Sequence, residues 1–230
     1  MRFKNLIHNF EPGKLDFCQI CNSSNLDTVL DLGFQPLPDN LRTMDDKNQE
    51  TIFYPLAINL CRKCILLQTS YIVDDTKLYP SNYHYTPGIS KQIRDNFNEF
   101  AKKTIDLYKL KRSDSILDIG CNDGSLLDEF KNFGFNSLFG IDPTNTIKIA
   151  KNKGHKTIQD FFNKKSAENF LEKSKVTKII STTNVFAHTG KLGEFIEGLL
   201  KIMKKETIFI VENHYLSSII SKNQFDSFYH

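Results

Sequence analysis

Ile116-Leu-Asp-Ile-Gly-Cys-Asn-Asp-Gly-Ser-Leu-Leu127 is the stretch that decides the fold. A short apolar strand over Ser115–Ile119 carries Asp118, turns through Gly120 and Gly124, and gives way to a helix near Ser125–Phe133. Glycines let the backbone turn tightly and approach a ligand closely. A strand, a glycine turn and a helix start, in that order, open the ligand-binding half of a parallel α/β sheet. The spacing here is Asp-x-Gly-x-x-x-Gly, not the Gly-x-Gly-x-x-Gly of dinucleotide sites. A pyrophosphate wants a bare helix N-terminus. Asp118 and Asp123 place negative charge around this turn, which repels phosphate and suits a ligand carrying positive charge.

Outward from this loop the chain alternates regularly. Apolar strands at Ser115–Ile119, Ser137–Ile141, Lys178–Ser181 and Thr207–Val211 are separated by helices near Ser125–Phe133, Thr144–Lys153, Lys164–Glu172 and Lys191–Met203. Continuous apolar strands divided by helices predict a parallel sheet buried on both faces, with ligands at the carboxyl ends of its strands. Three acids stand at such ends. Asp118 suits the sulfonium and amino group of S-adenosylmethionine. Asp142 lies 22 residues beyond Gly120, where a ribose hydroxyl pair is held in Rossmann-type sites. Asp160 is placed to accept from an adenine amino group. Gly120, Asn122, Gly124 and Asn184 complete the candidate cofactor set.

The first part of the chain is of another kind. Short β-like runs at Thr28–Leu32, Thr51–Leu60 and Ile65–Thr69 are broken by Pro, Asp, Asn and Gly, and offer little core. Such a segment needs a staple. Cys18-Gln-Ile-Cys21 and Cys61-Arg-Lys-Cys64, separated by 39 residues, supply one: two CxxC knuckles close a tetrahedral zinc site. Four thiolates leave no open position, so this zinc is expected to be structural. Cys121 does not fit the set. Ile89–Leu110 reads as an amphipathic helix with Ile89, Ile93, Phe97, Phe100 and Leu107 on one face. The expected domains are 1–87, a β-rich zinc-binding lobe, and 88–230, a Rossmann-like domain.

The net charge of +3 is too small to argue for nucleic acid, and no apolar run approaches the length of a membrane helix. The first fifteen residues lack an apolar signal-peptide core. No nucleic-acid partner, no membrane and a cytoplasmic location are therefore expected.

With these modules in this order, the chain resembles the zinc-containing, S-adenosylmethionine-dependent sugar C-methyltransferases that act on nucleotide-linked 4-keto-deoxysugars. The CxxC pairs, Gly33-Phe-Gln-Pro-Leu37, Tyr83-His-Tyr85, the glycine loop, Asn184-Val-Phe-Ala-His188 and Phe225-Asp-Ser-Phe-Tyr-His230 carry the likeness. The resemblance implies a class I methyltransferase fold, a nucleotide-sugar substrate and methylation at C3. It also implies active-site roles for His188, Tyr229, His230 and a tyrosine of the Tyr83/Tyr85 pair. Family members continue the final motif as Tyr-His-Glu-His into a further C-terminal domain, whereas this sequence stops at Tyr229-His230. A truncated form with weak C-methylation is the expectation that follows. Two other readings stand beside it: an O- or N-methyltransferase of a small molecule, and a zinc-ribbon adaptor with an inactive Rossmann-like part.

Overall fold

In a computed structural model, residues 8–39, 41, 44, 50–174 and 176–224 are described. Packing groups them into two compact units: the described residues within Met1–Tyr79, Ala187–Glu194 and His214–His230, and those within Pro80–Phe186 and Phe195–Asn213. These are not the two continuous halves expected from the sequence pattern. The segment from Pro80 to Pro87 packs with the larger unit, and two late segments pack with the cysteine lobe.

The lobe holds β1 (Gly13–Lys14), β2 (Leu26–Pro36), β3 (Phe53–Cys61), β4 (Leu67–Thr69), β5 (Tyr71–Ile72) and a single helical turn, α1 (Asp75–Leu78). β2, β3 and β4 form an antiparallel sheet, and β1 pairs with β5. β2 follows the expected Thr28–Leu32 run but is longer, and it is broken by register shifts between Thr28 and Leu30 and between Asp31 and Phe34. Its core is thin: Leu15, Ala57, Ile58, Ile72, Cys18 and Cys61 are buried.

The larger unit begins with a 3₁₀ turn at Pro87–Ile89 and α2 (Lys91–Tyr108). Ser90 Oγ accepts from Ile93 N, and Lys109 ends the helix in the left-handed region. The buried positions of α2 are Phe97, Ala101 and Thr104. The expected apolar face is thus corrected at both ends, because Ile89 (81% exposed) and Leu107 (71%) face solvent. Ile89 precedes the helix in a turn of different period, and Leu107 lies off the stripe that Phe97, Ala101 and Thr104 define at 3.6 residues per turn.

Next come β6 (Ile116–Ile119), α3 (Ser125–Asn132), β7 (Leu138–Ile141), α4 (Ile147–Asn152), β8 (Lys156–Ile158), α5 (Lys164–Lys173), β9 (Ile179–Thr183), α6 (Leu192–Ile202) and β10 (Ile208–Glu212). The final helix, α7 (Leu216–Ser221), belongs with the lobe. The sheet order is β10-β9-β6-β7-β8, parallel throughout. Neighbouring side chains on each strand serve opposite faces. Ile116, Leu138 and Ile179 pack toward Phe130 and Phe135, while Leu117, Phe139 and Ile180 pack toward Phe170 and Phe195. Each such burial contributes about 1.5–3 kcal/mol. The chain leaves β6 toward β7 and β8, then returns on the other side through β9 and β10. That reversal opens a crevice at the carboxyl ends of β6 and β9, where ligands of such sheets bind. No helix among the described residues is long and apolar enough to cross a membrane.

A glycine loop at the switch point and a four-cysteine cluster

Gly120 and Gly124 both stand at positive φ, +75° and +77°. A Cβ on Gly120 would lie 2.2 Å from Val185 Cγ2, a residue just past β9. The loop after β6 and the loop after β9 therefore touch at the switch point, and only glycine permits it. Asn122 is left-handed too (φ 48°), a conformation that asparagine tolerates better than most side chains.

The acids around this loop divide by role. Asp118 is 2% exposed, and its Oδ1 accepts from Ser181 Oγ at 2.8 Å. Burial pushes its carboxyl up to about 7, against the pull of the Ser181 bond and helped by the nearby Asp142 charge. Asp123 holds Ser125, the first residue of α3. Its Oδ1 accepts from the N–H and Oγ of Ser125, and its Oδ2 from Gly88 N. Asp123 thus uses three of its four acceptor positions within the fold, holding the start of α3 to the Gly88 segment. Asp142 is buried. Its Oδ1 accepts from Thr144 N and Oγ1, and its Oδ2 from Asn122 N at 2.9 Å. Oδ2 keeps one acceptor position beyond that bond. Asp160 lies two residues past β8, and Asn184 one past β9, both at the carboxyl edge.

Asp118 gives the unit a pH signature. Its folded value stands above its ordinary value near 3.8, so the folded state binds the proton more tightly than the unfolded chain. Its contribution is therefore most favourable at low pH and is lost as pH rises from about 4 through 7. His188 works in the opposite sense: burial, and then the His214 charge, lower it to about 4. Its share is complete above about 6.5 and is lost as pH falls toward 4. Comparing variant with wild type isolates Asp118. Asp118→Asn keeps an oxygen for Ser181 and should flatten the loss of stability between pH 5 and pH 8, by up to roughly 2–3 kcal/mol. Urea melts at both pH values measure this, and an unchanged slope would contradict the assignment.

Of the sequence-derived site residues, Asp118, Gly120, Asn122, Gly124, Asp142, Asp160, Asn184, Tyr83 and Tyr85 fall within the larger unit. A limit at residue 87 would put Tyr83 and Tyr85 in the zinc lobe; in the structure their segment is tied to Asn122 and Asp123 and packs with the larger unit. His188 packs with the lobe, in a 3₁₀ turn at Phe186–His188, its ring 6.2 Å from that of Tyr79. Tyr229 and His230 lie outside the described residues. Ser181, Val185 and Gly88 were not anticipated. Only Gly88, in the Pro87-Gly88 pair, carried a local signal, and it read as a boundary.

In the lobe the four expected ligands converge. Cys18, Cys21, Cys61 and Cys64 present sulfurs that all lie within 4.8 Å of one another. Cys18 and Cys64 are 3.5 Å apart, as are Cys21 and Cys61. Tetrahedral zinc with thiolates at about 2.3 Å requires sulfurs about 3.8 Å apart, so the donor set fits. The two knuckles share one backbone pattern. Asn22 N donates to Cys18 O, and Ile65 N to Cys61 O, both 2.9 Å. Asn22 and Ile65 are each left-handed, at φ 54° and 63°. For a β-branched residue that conformation is strained, which only a well-determined turn sustains.

Comparison with known proteins agrees with both modules. Residues 18–79 match the family model of a zinc binding domain, and residues 85–229 that of a methyltransferase domain. The C-methyltransferase NovU of Streptomyces niveus is 26% identical over 218 residues, which is 94% of this chain and 51% of that protein. The chain thus spans about half the length of that curated relative. Among solved structures, the plantazolicin methyltransferase BpumL in complex with SAH is 25% identical at a TM-score of 0.47, over 60% of this chain and 61% of that one. A SAM dependent methyltransferase from Archaeoglobus fulgidus is 20% identical at 0.45, over 58% of each. As the methyltransferase model covers more than half of its residues, the chain belongs to the methyltransferase-domain family, with a zinc-binding domain preceding that domain.

Proposed function

We propose that this chain is an S-adenosylmethionine-dependent methyltransferase acting on carbon C3 of a nucleotide-linked 4-keto-deoxysugar. The observation that carries the cofactor half is the loop itself: a glycine turn at the switch point, bordered by a buried carboxyl at Asp118 and by Asp142 with an acceptor position left on Oδ2. Asp142 accepts from the ribose hydroxyls and Asp160 from the adenine amino group, while Gly120 lets the backbone approach the ligand. When bound, S-adenosylmethionine supplies an electrophilic methyl group on a positive sulfur, whose charge suits the acid-rich loop. The carbon half rests on the similarity to the C-methyltransferase NovU and on His188. Burial keeps that imidazole neutral at neutral pH, so it accepts a proton. A ketone at C4 acidifies the C3 proton. We propose His188 as the base that takes it, and hydroxyl donation by Tyr83 or Tyr85 to the oxygen that gains charge. We further propose Cys18, Cys21, Cys61 and Cys64 as the ligands of a structural zinc.

Calorimetry with SAH tests the cofactor site. Asp142→Ala should weaken binding about tenfold to hundredfold, and more than Asp160→Ala, because it removes a charged acceptor. Unchanged affinity in Asp142→Ala would remove the ribose assignment. Solvent deuterium entering C3 of a 4-keto-deoxysugar nucleotide, slowed in His188→Asn, supports the carbon reading. Methyl transfer to oxygen or nitrogen with no exchange at C3 overturns it.

A further inference from the structure

The segment Pro80–Gly88 runs along the carboxyl edge of the sheet and is tied to it at three points. Ser81 O accepts from Asn145 N, in the turn after β7, at 3.0 Å. Tyr85 O accepts from Asn122 Nδ2 at 2.9 Å. Gly88 N donates to Asp123 Oδ2 at 3.1 Å. Arg94, from the first turns of α2, donates to the carbonyls of Gly88 and Ile89 and holds the far end. The last tie depends on glycine: a Cβ on Gly88 would lie 2.3 Å from Ser125 Oγ and 2.4 Å from Asp123 Oδ2. The segment has no regular structure between Pro80 and Thr86, so these ties, not a backbone ladder, fix where Tyr83 and Tyr85 sit.

Asn122 stands where two of these threads cross. Its backbone N–H donates to Asp142 Oδ2, and its side-chain amide donates to Tyr85 O. Its Oδ1 is buried with no partner among the described residues, so the bond to Tyr85 alone orients the amide. Any ligand that draws on Asp142 Oδ2 acts on the same residue that holds the segment.

We infer that Asn122 is a positioning residue, coupling occupancy of the cofactor site to the placement of the strap that carries Tyr83 and Tyr85. Loading the cofactor tightens the Asp142–Asn122–Tyr85 chain, and the strap's tyrosines are set for substrate as a consequence. This rests on the methyltransferase reading, since it requires a ligand at Asp142.

Hydrogen–deuterium exchange of the full chain, with and without SAH, tests it, with SAH binding measured separately by calorimetry. In the wild type, SAH should slow exchange of the amides at Tyr83–Thr86 about threefold to tenfold, the factor one hydrogen bond supplies, alongside those of the loop at 120–124. Asn122→Gly keeps the left-handed backbone and the bond to Asp142 but deletes the side-chain tie. There SAH should still slow the loop, while the strap exchanges at its ligand-free rate and the amides of β9 and β10 are unaltered. Gly88→Ala, which forces the far anchor apart, should release the strap in the same way. A wild-type strap that exchanges equally with and without SAH, while the loop is protected, overturns the inference. So does Asn122→Gly with full strap protection. Absence of any SAH binding by the wild type would instead remove the methyltransferase reading itself.

Discussion

Stripping the metal, or replacing Cys61 with serine, is expected to unfold the cysteine lobe while the five-stranded sheet keeps its structure. Among its described residues the lobe buries few large apolar side chains: Leu15, Ile58, Ile72 and Ile219 are the principal ones. At about 1.5–3 kcal/mol each, these fall far short of the conformational entropy of ordering such a segment, which is about 1–2 kcal/mol per residue for the backbone alone. A structural zinc contributes roughly 10–16 kcal/mol in small peptide domains, so the site is the largest single term the lobe has. The sheet, by contrast, has its own two-sided core from Phe130, Phe135, Phe170 and the strand residues. Exchange protection along β3 should collapse on chelation, while that along β6 and β9 persists. Elemental analysis should return one zinc per chain. Folded protein free of zinc, with β3 still protected, would rule the site out as a structural one.

Gly120→Ala is the second large effect. An alanine at φ +75° costs about 1–2 kcal/mol for its backbone alone. Its Cβ must also displace Val185, a stiff β-branched side chain, and such overpacking costs about 1–3 kcal/mol more. Stability should therefore fall by roughly 2–5 kcal/mol, and SAH affinity by about tenfold or more, because the loop and the end of β9 are forced apart. Gly134→Ala is the control: φ is +90°, but the nearest atoms, Cδ and Nε of Arg112, lie 3.4 Å away. Denaturant melts of both variants separate the backbone cost from the crowding. Equal losses in the two would show that Val185 yields without cost.

The parallel sheet was legible because its strands are continuous apolar runs with helices between them, and the loop because its glycines are spaced for a turn. β8 was harder, since three residues, Lys156–Ile158, are too few to show a period. The cysteine set was legible from the CxxC spacing alone, which dictates a shared ion whatever fold surrounds it. The roles of the acids were not. Asp118 and Asp123 look alike in sequence, yet one is sealed beneath the loop against Ser181 and the other holds Ser125, the first residue of α3. What separates them is which way each side chain leaves the strand end, and that follows from tertiary packing. The strap was invisible for a related reason: its anchors at Asn122, Asp123 and Asn145 are more than thirty residues downstream of the positions they hold.

The lobe is assembled from stretches that lie far apart along the chain, since the residues before Tyr79 are joined by Ala187–Glu194 and by those from His214 on. During synthesis its first strands and both cysteine pairs therefore leave the ribosome long before the pieces that finish it. The last strand of the sheet, β10, ends at Glu212, ahead of the segment from His214 on. The part made first is thus the part completed last. In the interval the early segment has metal as its principal source of order, so zinc supply at translation, more than at any later time, should govern how much of this protein reaches its native state.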